Sequence, residues 1–368
     1  MRIGIILTGD YGWAGGVYYS LNIIKLLSRI AAKKQLTVVA VVNAATPPEV
    51  IADLPREHVE ISYLDHKSFL YRLYYKLAGN RFAADINALK LDVLYPLIAY
   101  SPEHAKLNCK VLYWLYDFQH KFLPELFSQE ELKSRDLAFQ SIAFHAKDIV
   151  FSSHDSKSHF DQFYKESKAR RHVYQFVSLL QQQPVSVETS SGIPDVYFIV
   201  CNQFWPHKNH LTVLKAIDLL LRQQQNIHIV LTGKYDDARN KAYVDDLKAC
   251  IDQHGLQQNL TLTGFMSREE QIRLIQNARA IIQPSFFEGW STVIEDAKAL
   301  NKFMIVSDIP VNREQITKNA WFFKPSDESQ LAAHILALAG KQDQPLPLDY
   351  SENIAASEAS LIRLFEIR

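Results

Sequence analysis

Cysteine is scarce. The three present, Cys109, Cys201 and Cys250, are odd in number, far apart and without CxxC spacing. A disulfide framework and a zinc ribbon are therefore not expected, and a reducing, cytoplasmic setting is. Glycine and proline number only 12 and 14, which excludes a collagen-like or low-complexity chain. Charge of one sign is also lacking, because 40 Lys and Arg balance 40 Asp and Glu. A dedicated nucleic-acid binder carries a basic excess, so no nucleic-acid partner is expected. No apolar run approaches the roughly 18–20 residues of a membrane span. The opening MRIGIILTGDYG is apolar for one strand's length and then turns to glycine and acid, unlike a secretory leader. The 13 histidines form no HExxH or similar ligand spacing, and Asp236-Asp237 and Asp245-Asp246 sit in charged, solvent-facing contexts. No metal is expected.

What the chain does have is apolar material, 48% of 368 residues, enough for about two domains at roughly 100–200 residues each. The neutral total hides an asymmetry: residues 1–183 carry +4 and residues 184–368 carry −4. Either this is ordinary solvation, or the first half faces an anionic partner. Residues 181–195 are polar, hold two prolines and lack periodicity, and so read as a linker. Both halves alternate short apolar runs with helical stretches. Strands are predicted at Ile3–Leu7, Leu36–Val42, Val93–Leu97, Lys110–Leu115 and Asp148–Phe151, then at Val196–Cys201, Ile227–Thr232, Leu260–Leu262, Ala280–Gln283 and Phe303–Ser307. Runs apolar on both faces suit parallel sheets covered by helices. The expected fold is α/β with two doubly wound, Rossmann-like domains, 1–183 and 184–351, facing across a cleft. Ligands then belong in loops at the carboxyl ends of strands.

The most informative such loop is Gln283-Pro-Ser-Phe-Phe-Glu-Gly-Trp-Ser-Thr-Val-Ile-Glu-Asp-Ala-Lys298. A helix is predicted to open near Ser291 or Thr292, with Thr292-x-x-Glu295 read as a capping box. The free amides of Thr292 and Val293, with the helix dipole, suit a diphosphate. Glu288 precedes that site, Gly289 lets the backbone approach a ligand, and Asp296 lies one turn into the helix. Carboxylates on either side of a phosphate site make sense for a nucleotide sugar, whose hydroxyls they accept.

This segment resembles the signature of family 4 glycosyltransferases of GT-B fold, Pro-Ser-x-x-Glu-Gly with a second acid eight positions after the first. Here the acids are Glu288 and Asp296, the latter where the family usually has Glu. The resemblance implies that Glu288 holds sugar hydroxyls and that Asp296 faces the ribose, with Trp290 and Ser291 also lining the donor site. Cys201-Asn-Gln-Phe-Trp-Pro-His-Lys-Asn209 resembles the family's phosphate loop. Lys208 matches its Lys, while Gln203 stands where an Arg is usual. Arg313 and Lys234 are candidates for the missing cation. Gly264 and Phe265 fall in a stretch whose backbone holds the nucleobase in the family, and Ser307–Glu314 also looks like it. Gly15 and Gly16 match the family's paired-glycine loop, ahead of a helix predicted from about Tyr18. Tyr116 occupies the place of a family His near the transferred sugar. Asp117 keeps the following acid, and His120 is either an active-site imidazole or part of a helix cap. Ser153, His154 and Asp155 are adjacent and so lack triad geometry.

The resemblance implies retaining transfer of a sugar from a nucleotide diphosphate donor (GDP-, UDP- or dTDP-linked) to a glycan or lipid-linked acceptor. No cofactor or metal is implied. The destination it suggests is bacterial O-antigen or capsule, with mannosyl or rhamnosyl transfer. It also implies a terminal helix, about 352–368, packing back on the first domain. Rival readings are a GT-B nucleotide-sugar epimerase and a catalytically silent homologue that binds a partner. The basic, aromatic stretch 66–82 reads either as an ordinary surface helix or as a contact with anionic lipid at the inner face of the cytoplasmic membrane.

Overall fold

A computed structural model of the chain describes residues 1–7, 13–43, 46–64, 81–180, 192–235, 240–340 and 345–368. Most of the expected linker and residues 66–80 of the basic aromatic stretch lie outside the described residues. The chain divides into two units. The first comprises Met1–Phe122, Phe127–Leu179 and Ser351–Arg368; the second comprises Leu123–Leu126 and Leu180–Tyr350.

The first unit holds a seven-stranded sheet built from β1 (Arg2–Ile6), β2 (Thr37–Val42), β3 (Val59–Tyr63), β4 (Val93–Leu97), β5 (Lys110–Leu115), β6 (Asp148–Phe151) and β7 (Arg170–Val173). Its order is β3-β2-β1-β4-β5-β6-β7, and every pairing is parallel. The second unit holds six strands: β8 (Phe198–Cys201), β9 (Ile229–Thr232), β10 (Leu260–Gly264), β11 (Ala280–Gln283), β12 (Met304–Ser307) and β13 (Ala320–Phe323). Their order is β10-β9-β8-β11-β12-β13, again all parallel. Both units are thus Rossmann-like.

Strands β4, β6, β8, β9, β11 and β12 are buried at every residue, which is why their sequences are almost unbroken apolar runs. Three strands escape the sequence reading: β3, β7 and β13. Each lies at a sheet edge and is only partly covered; β3 (VEISY) and β7 (RRHV) are accordingly mixed in composition, whereas β13 (AWFF) is apolar but only four residues long. In the second unit, Phe198, Leu214, Ile217, Ile229 and Ile335 pack on one face of the sheet, and Ile199, Ile275, Ile281 and Ile294 on the other.

The first helix runs Ala14–Ala31, starting earlier than the expected Tyr18. Gly16 permits this start: a Cβ there would lie 2.8 Å from the Trp13 ring. The helix Ser351–Phe365 belongs to the first unit. Phe365 lies edge-on to Tyr95 with ring centroids 5.9 Å apart, Ser357 donates to the Tyr174 hydroxyl at 3.1 Å, and Glu366 just beyond pairs with Lys110 at 2.6 Å.

Candidate active site

In the second unit the chain order reverses between β8 and β11, the place where doubly wound sheets open a crevice at their carboxyl ends. The loops leaving these two strands carry the expected residues. After β8, the turn Pro206–Lys208 is closed by Asn209, whose φ of 56° is tolerable for Asn. The Asn209 amide donates to the carbonyls of Pro284 (2.9 Å) and Pro325 (2.7 Å). The Phe286 amide donates to the His207 carbonyl at 2.8 Å. These bonds fasten the two loops together and bring Lys208 Nζ to 2.6 Å from Glu288 Oε1.

Glu288 is 9% exposed, so this ion pair is largely withdrawn from water. Oε1 also accepts from Gln283 Nε2 at 2.8 Å. Gln283 is fully buried at the end of β11, and its own Oε1 accepts from Asn202 Nδ2 at 3.0 Å. Sequence reasoning passed over Gln283. The available signal was a lone amide closing an otherwise apolar strand, since a buried polar group needs partners.

The helix Thr292–Ala299 opens just behind this pair. Ser291 is its N-cap, with φ −85° and ψ 121°, and its hydroxyl accepts from the Ile294 amide at 3.4 Å. The Ser291 amide is taken by Gln315 Oε1 at 2.9 Å. Thr292 and Val293 follow as first-turn residues, whose amides have no acceptor within the helix. The expected capping box fails: Glu295 is buried and turned away from the helix start. It accepts from Gln315 (3.0 Å), Lys298 (2.8 Å) and the Tyr350 hydroxyl (2.6 Å). Gly289 and Trp290 are half-buried beside the site, and Lys298 Nζ lies 6.0 Å from the Trp290 ring centre.

Asp296 is 1% exposed and pairs with Arg268 at 2.5 Å. Arg268, which the sequence reading missed, opens the helix Arg268–Asn277 and also donates to Gln271 at 2.8 Å. Gly264 ends β10 with φ 73°, and its carbonyl accepts from the Gly233 amide at 3.0 Å, while Phe265 is exposed. Gln203 does not replace an arginine: its Oε1 accepts the Lys234 amide at 3.1 Å, which ties the loop after β8 to the turn after β9. Arg313, considered as a substitute cation, is committed to Asp308 through bonds of 2.7 and 2.9 Å and lies 3.7 Å over the Phe322 ring. Burial pushes the Cys201 thiol up to about 12, so it is a packing residue.

In the first unit, Gly15 and Gly16 lie in the first turn of the helix Ala14–Ala31. Trp13 stacks on Trp114 (centroids 5.6 Å, 14°) and touches Tyr116 at 4.8 Å. Burial pushes the Tyr116 hydroxyl up to about 12. Asp117 accepts the Gln119 amide at 3.1 Å, forming the turn that opens the short helix Gln119–Phe122. His120, in that helix, is 1% exposed, edge-on to Phe139, with Nε2 3.2 Å from Asp136. Burial lowers its pKa to about 4, so the ring is neutral near pH 7. Ser153 caps the helix His154–Phe163, its hydroxyl accepting the Ser156 amide at 3.0 Å. Among the described residues no group of three or more His, Cys, Asp or Glu is placed to hold a metal, and no helix is long and apolar enough to cross a membrane.

Residues 189–356 match the family model described as "Glycosyl transferases group 1". A stretch of 132 residues is 31% identical to the O-antigen chain mannosyltransferase RfbU of Salmonella typhimurium, covering 36% of this chain and 35% of that protein. Another of 161 residues is 29% identical to the serotype-specific mannosyltransferase WbdA of Escherichia coli, covering 43% and 19%. The chain therefore matches only a minor part of the length of these curated relatives. Among solved structures, the sucrose-phosphate synthase of Thermosynechococcus elongatus aligns with 100% of this chain and 98% of its own, with TM-score 0.71 and 14% identity. HepE of Anabaena, solved with UDP and glucose, aligns with 99% and 95%, with TM-score 0.64 and 17% identity. At such identity the likeness establishes the fold, two Rossmann-like α/β domains of the GT-B type.

Proposed function

From the match of residues 189–356 to the group 1 glycosyl transferases, we propose that the chain belongs to that family and moves a sugar from a nucleotide-diphosphate donor to a glycan or lipid-linked acceptor. The observation that carries this reading is the meeting of Lys208 Nζ and Glu288 Oε1, 2.6 Å apart, beside the first turn of the helix Thr292–Ala299. A cation and free amides suit a diphosphate, and a carboxylate suits sugar hydroxyls.

The family resemblance implies the following course of reaction for those groups. Lys208 turns from Glu288 to the diphosphate, and Glu288 accepts hydroxyl hydrogens of the sugar. The bond between the anomeric carbon and the diphosphate oxygen breaks, and its electron pair leaves with the phosphate. Lys208 and the amides of Thr292 and Val293 stabilise the charge that builds there. The acceptor oxygen attacks from the side the leaving group vacates, and its proton passes to the leaving phosphate oxygen. The configuration is retained. Asp296, held by Arg268, is the proposed ribose-side carboxylate. Asp117 and His120 are assigned to the sugar and acceptor side, and Gly15 and Gly16 to the donor diphosphate, by family resemblance alone, and the structure around His120 favours a packing role for it.

The matched relatives are named mannosyltransferases, which supports mannosyl transfer, with rhamnosyl transfer next, in O-antigen or capsule assembly at the cytoplasmic side of the membrane. The test is incubation with GDP-, UDP- and dTDP-sugars, with and without glycan acceptors. Acceptor-dependent nucleotide release and a retained anomeric configuration by NMR are expected. Conversion of the donor alone would indicate an epimerase. Failure of the protein to bind any nucleoside diphosphate by calorimetry would sink the proposal and leave a silent homologue.

A further inference from the structure

We propose that Gln283 is a positioning residue that holds Glu288 in place while Lys208 is engaged by the diphosphate; this rests on the transferase reading above. Lys208 is the only cation on Glu288 among the described residues. A diphosphate draws that ammonium toward itself. Glu288, 9% exposed, is then left without its counter-charge in a site with little water to replace it. Gln283 remains. Its Nε2 reaches the same oxygen, Oε1, at 2.8 Å, and its side chain is fully buried.

The direction of the amide is set by its other end. Asn202 Nδ2 donates to Gln283 Oε1 at 3.0 Å, so the NH2 group must face Glu288 and the hydroxyls of Ser285 (3.2 Å) and Ser291 (3.3 Å). Lys208 and Gln283 both engage Oε1; no bond to Oε2 is found among the described residues, which leaves it for a ligand hydroxyl. A neutral amide suits the task. It fixes the carboxylate without cancelling its charge, so Glu288 stays a strong acceptor. Through Ser291, the N-cap of the helix Thr292–Ala299, the same amide ties the sugar-binding carboxylate to the diphosphate-binding turn.

The test compares Gln283→Leu, Gln283→Glu and Gln283→Asn with wild type, using calorimetry with the nucleoside diphosphate and steady-state kinetics with the matching nucleotide sugar. For Gln283→Leu, kcat is expected to fall about ten- to a hundredfold while diphosphate affinity stays within about threefold, since Lys208 and the helix amides are untouched. Gln283→Glu sets a second carboxylate against Glu288, and the pair holds a proton near neutrality. Its rate should climb with pH across a range where wild type is flat. Gln283→Asn, which keeps the amide on a shorter stem, should recover part of the rate lost in Gln283→Leu. Equal loss of diphosphate affinity and kcat in every variant would mean a merely structural role and overturn the proposal. So would unaltered kcat and pH profile in Gln283→Leu and Gln283→Glu. If wild type turns over the donor and the variants match it, only the role of Gln283 falls. If wild type binds no nucleoside diphosphate, the transferase reading falls and takes this inference with it.

Discussion

At the scale of single residues, Lys208 and Glu288 are partners, 2.6 Å apart. Their alanine variants should therefore behave differently although both sit at the proposed reacting centre. Each should lower kcat by about tenfold to a thousandfold, in line with the loss of one stabilising donor. Lys208→Ala should also weaken nucleoside diphosphate binding, because it removes the cation and leaves Glu288 facing the anion. Glu288→Ala should hold or tighten that binding, because it frees the ammonium. Parallel calorimetry on the two variants checks this. Equal losses of affinity would contradict the division of labour.

Buried imidazoles set a residue-level pH dependence. Burial, helped by the charge of Lys208, lowers His210 from 6.5 to about 3; burial lowers His120 from 6.5 to about 4. Both rings stay neutral in the folded chain while the unfolded chain titrates near 6.5. Their stabilisation is fully present above that value and is lost as pH falls toward 4 and 3, by on the order of 1–3 kcal/mol per histidine. His210 stacks on Phe204 with centroids 4.5 Å apart, so His210→Phe keeps an aromatic ring in place. Urea titrations at pH 7 and pH 4.5 should show a smaller acid loss in His210→Phe than in wild type.

At the scale of elements, the carboxyl-end loops depend on tight turns. Gly233, after β9, has φ 131°, and a Cβ there would stand 2.3 Å from the Asn202 carbonyl. Gly233→Ala should destabilise the second unit by about 1–3 kcal/mol or more and displace Asn202, and with it the Gln283 amide. A lowered Tm with reduced donor turnover is the expected result. Element reading also shows what the sequence could yield. Central strands such as β8 (FIVC) and β11 (AIIQ) are legible because both faces are buried, so composition alone marks them. Edge strands such as β3 (VEISY) carry charge and polar groups and merge with loops. The signature residues Glu288, Ser291 and Lys208 are legible by spacing within their loops. Their bonds are not, because Lys208 and Glu288 are 80 residues apart in the chain and meet through the pairing of β8 with β11 and the bonds of Asn209 and the Phe286 amide. The cap was misassigned because Ser291 and Thr292 are neighbouring hydroxyls that each fit a capping pattern. Backbone dihedrals choose Ser291, and Glu295 is then released to Gln315 and Tyr350.

At the scale of the whole chain, Lys208, Glu288, Asp296 and the opening of the helix Thr292–Ala299, the groups proposed for the diphosphate and its sugar, all belong to the second unit. A nucleoside diphosphate at 100 times its dissociation constant should stabilise the folded state by about 2.7 kcal/mol. In a screen of GDP, UDP and dTDP, the matching base should raise Tm most. Hydrogen exchange should slow first around Asn202–Asn209 and Gln283–Asp296, before any segment of the first unit. Protection that began in the first unit would put the donor elsewhere.

The return of the terminal helix Ser351–Phe365 to the first unit has a practical corollary for dissecting the molecule. A gene fragment stopped near residue 180 would strip Tyr95 and Tyr174 of Phe365 and Ser357, baring a greasy scar on an otherwise intact sheet. Isolating that half calls for grafting the tail onto it, whereas the second unit can be excised as one nearly continuous piece.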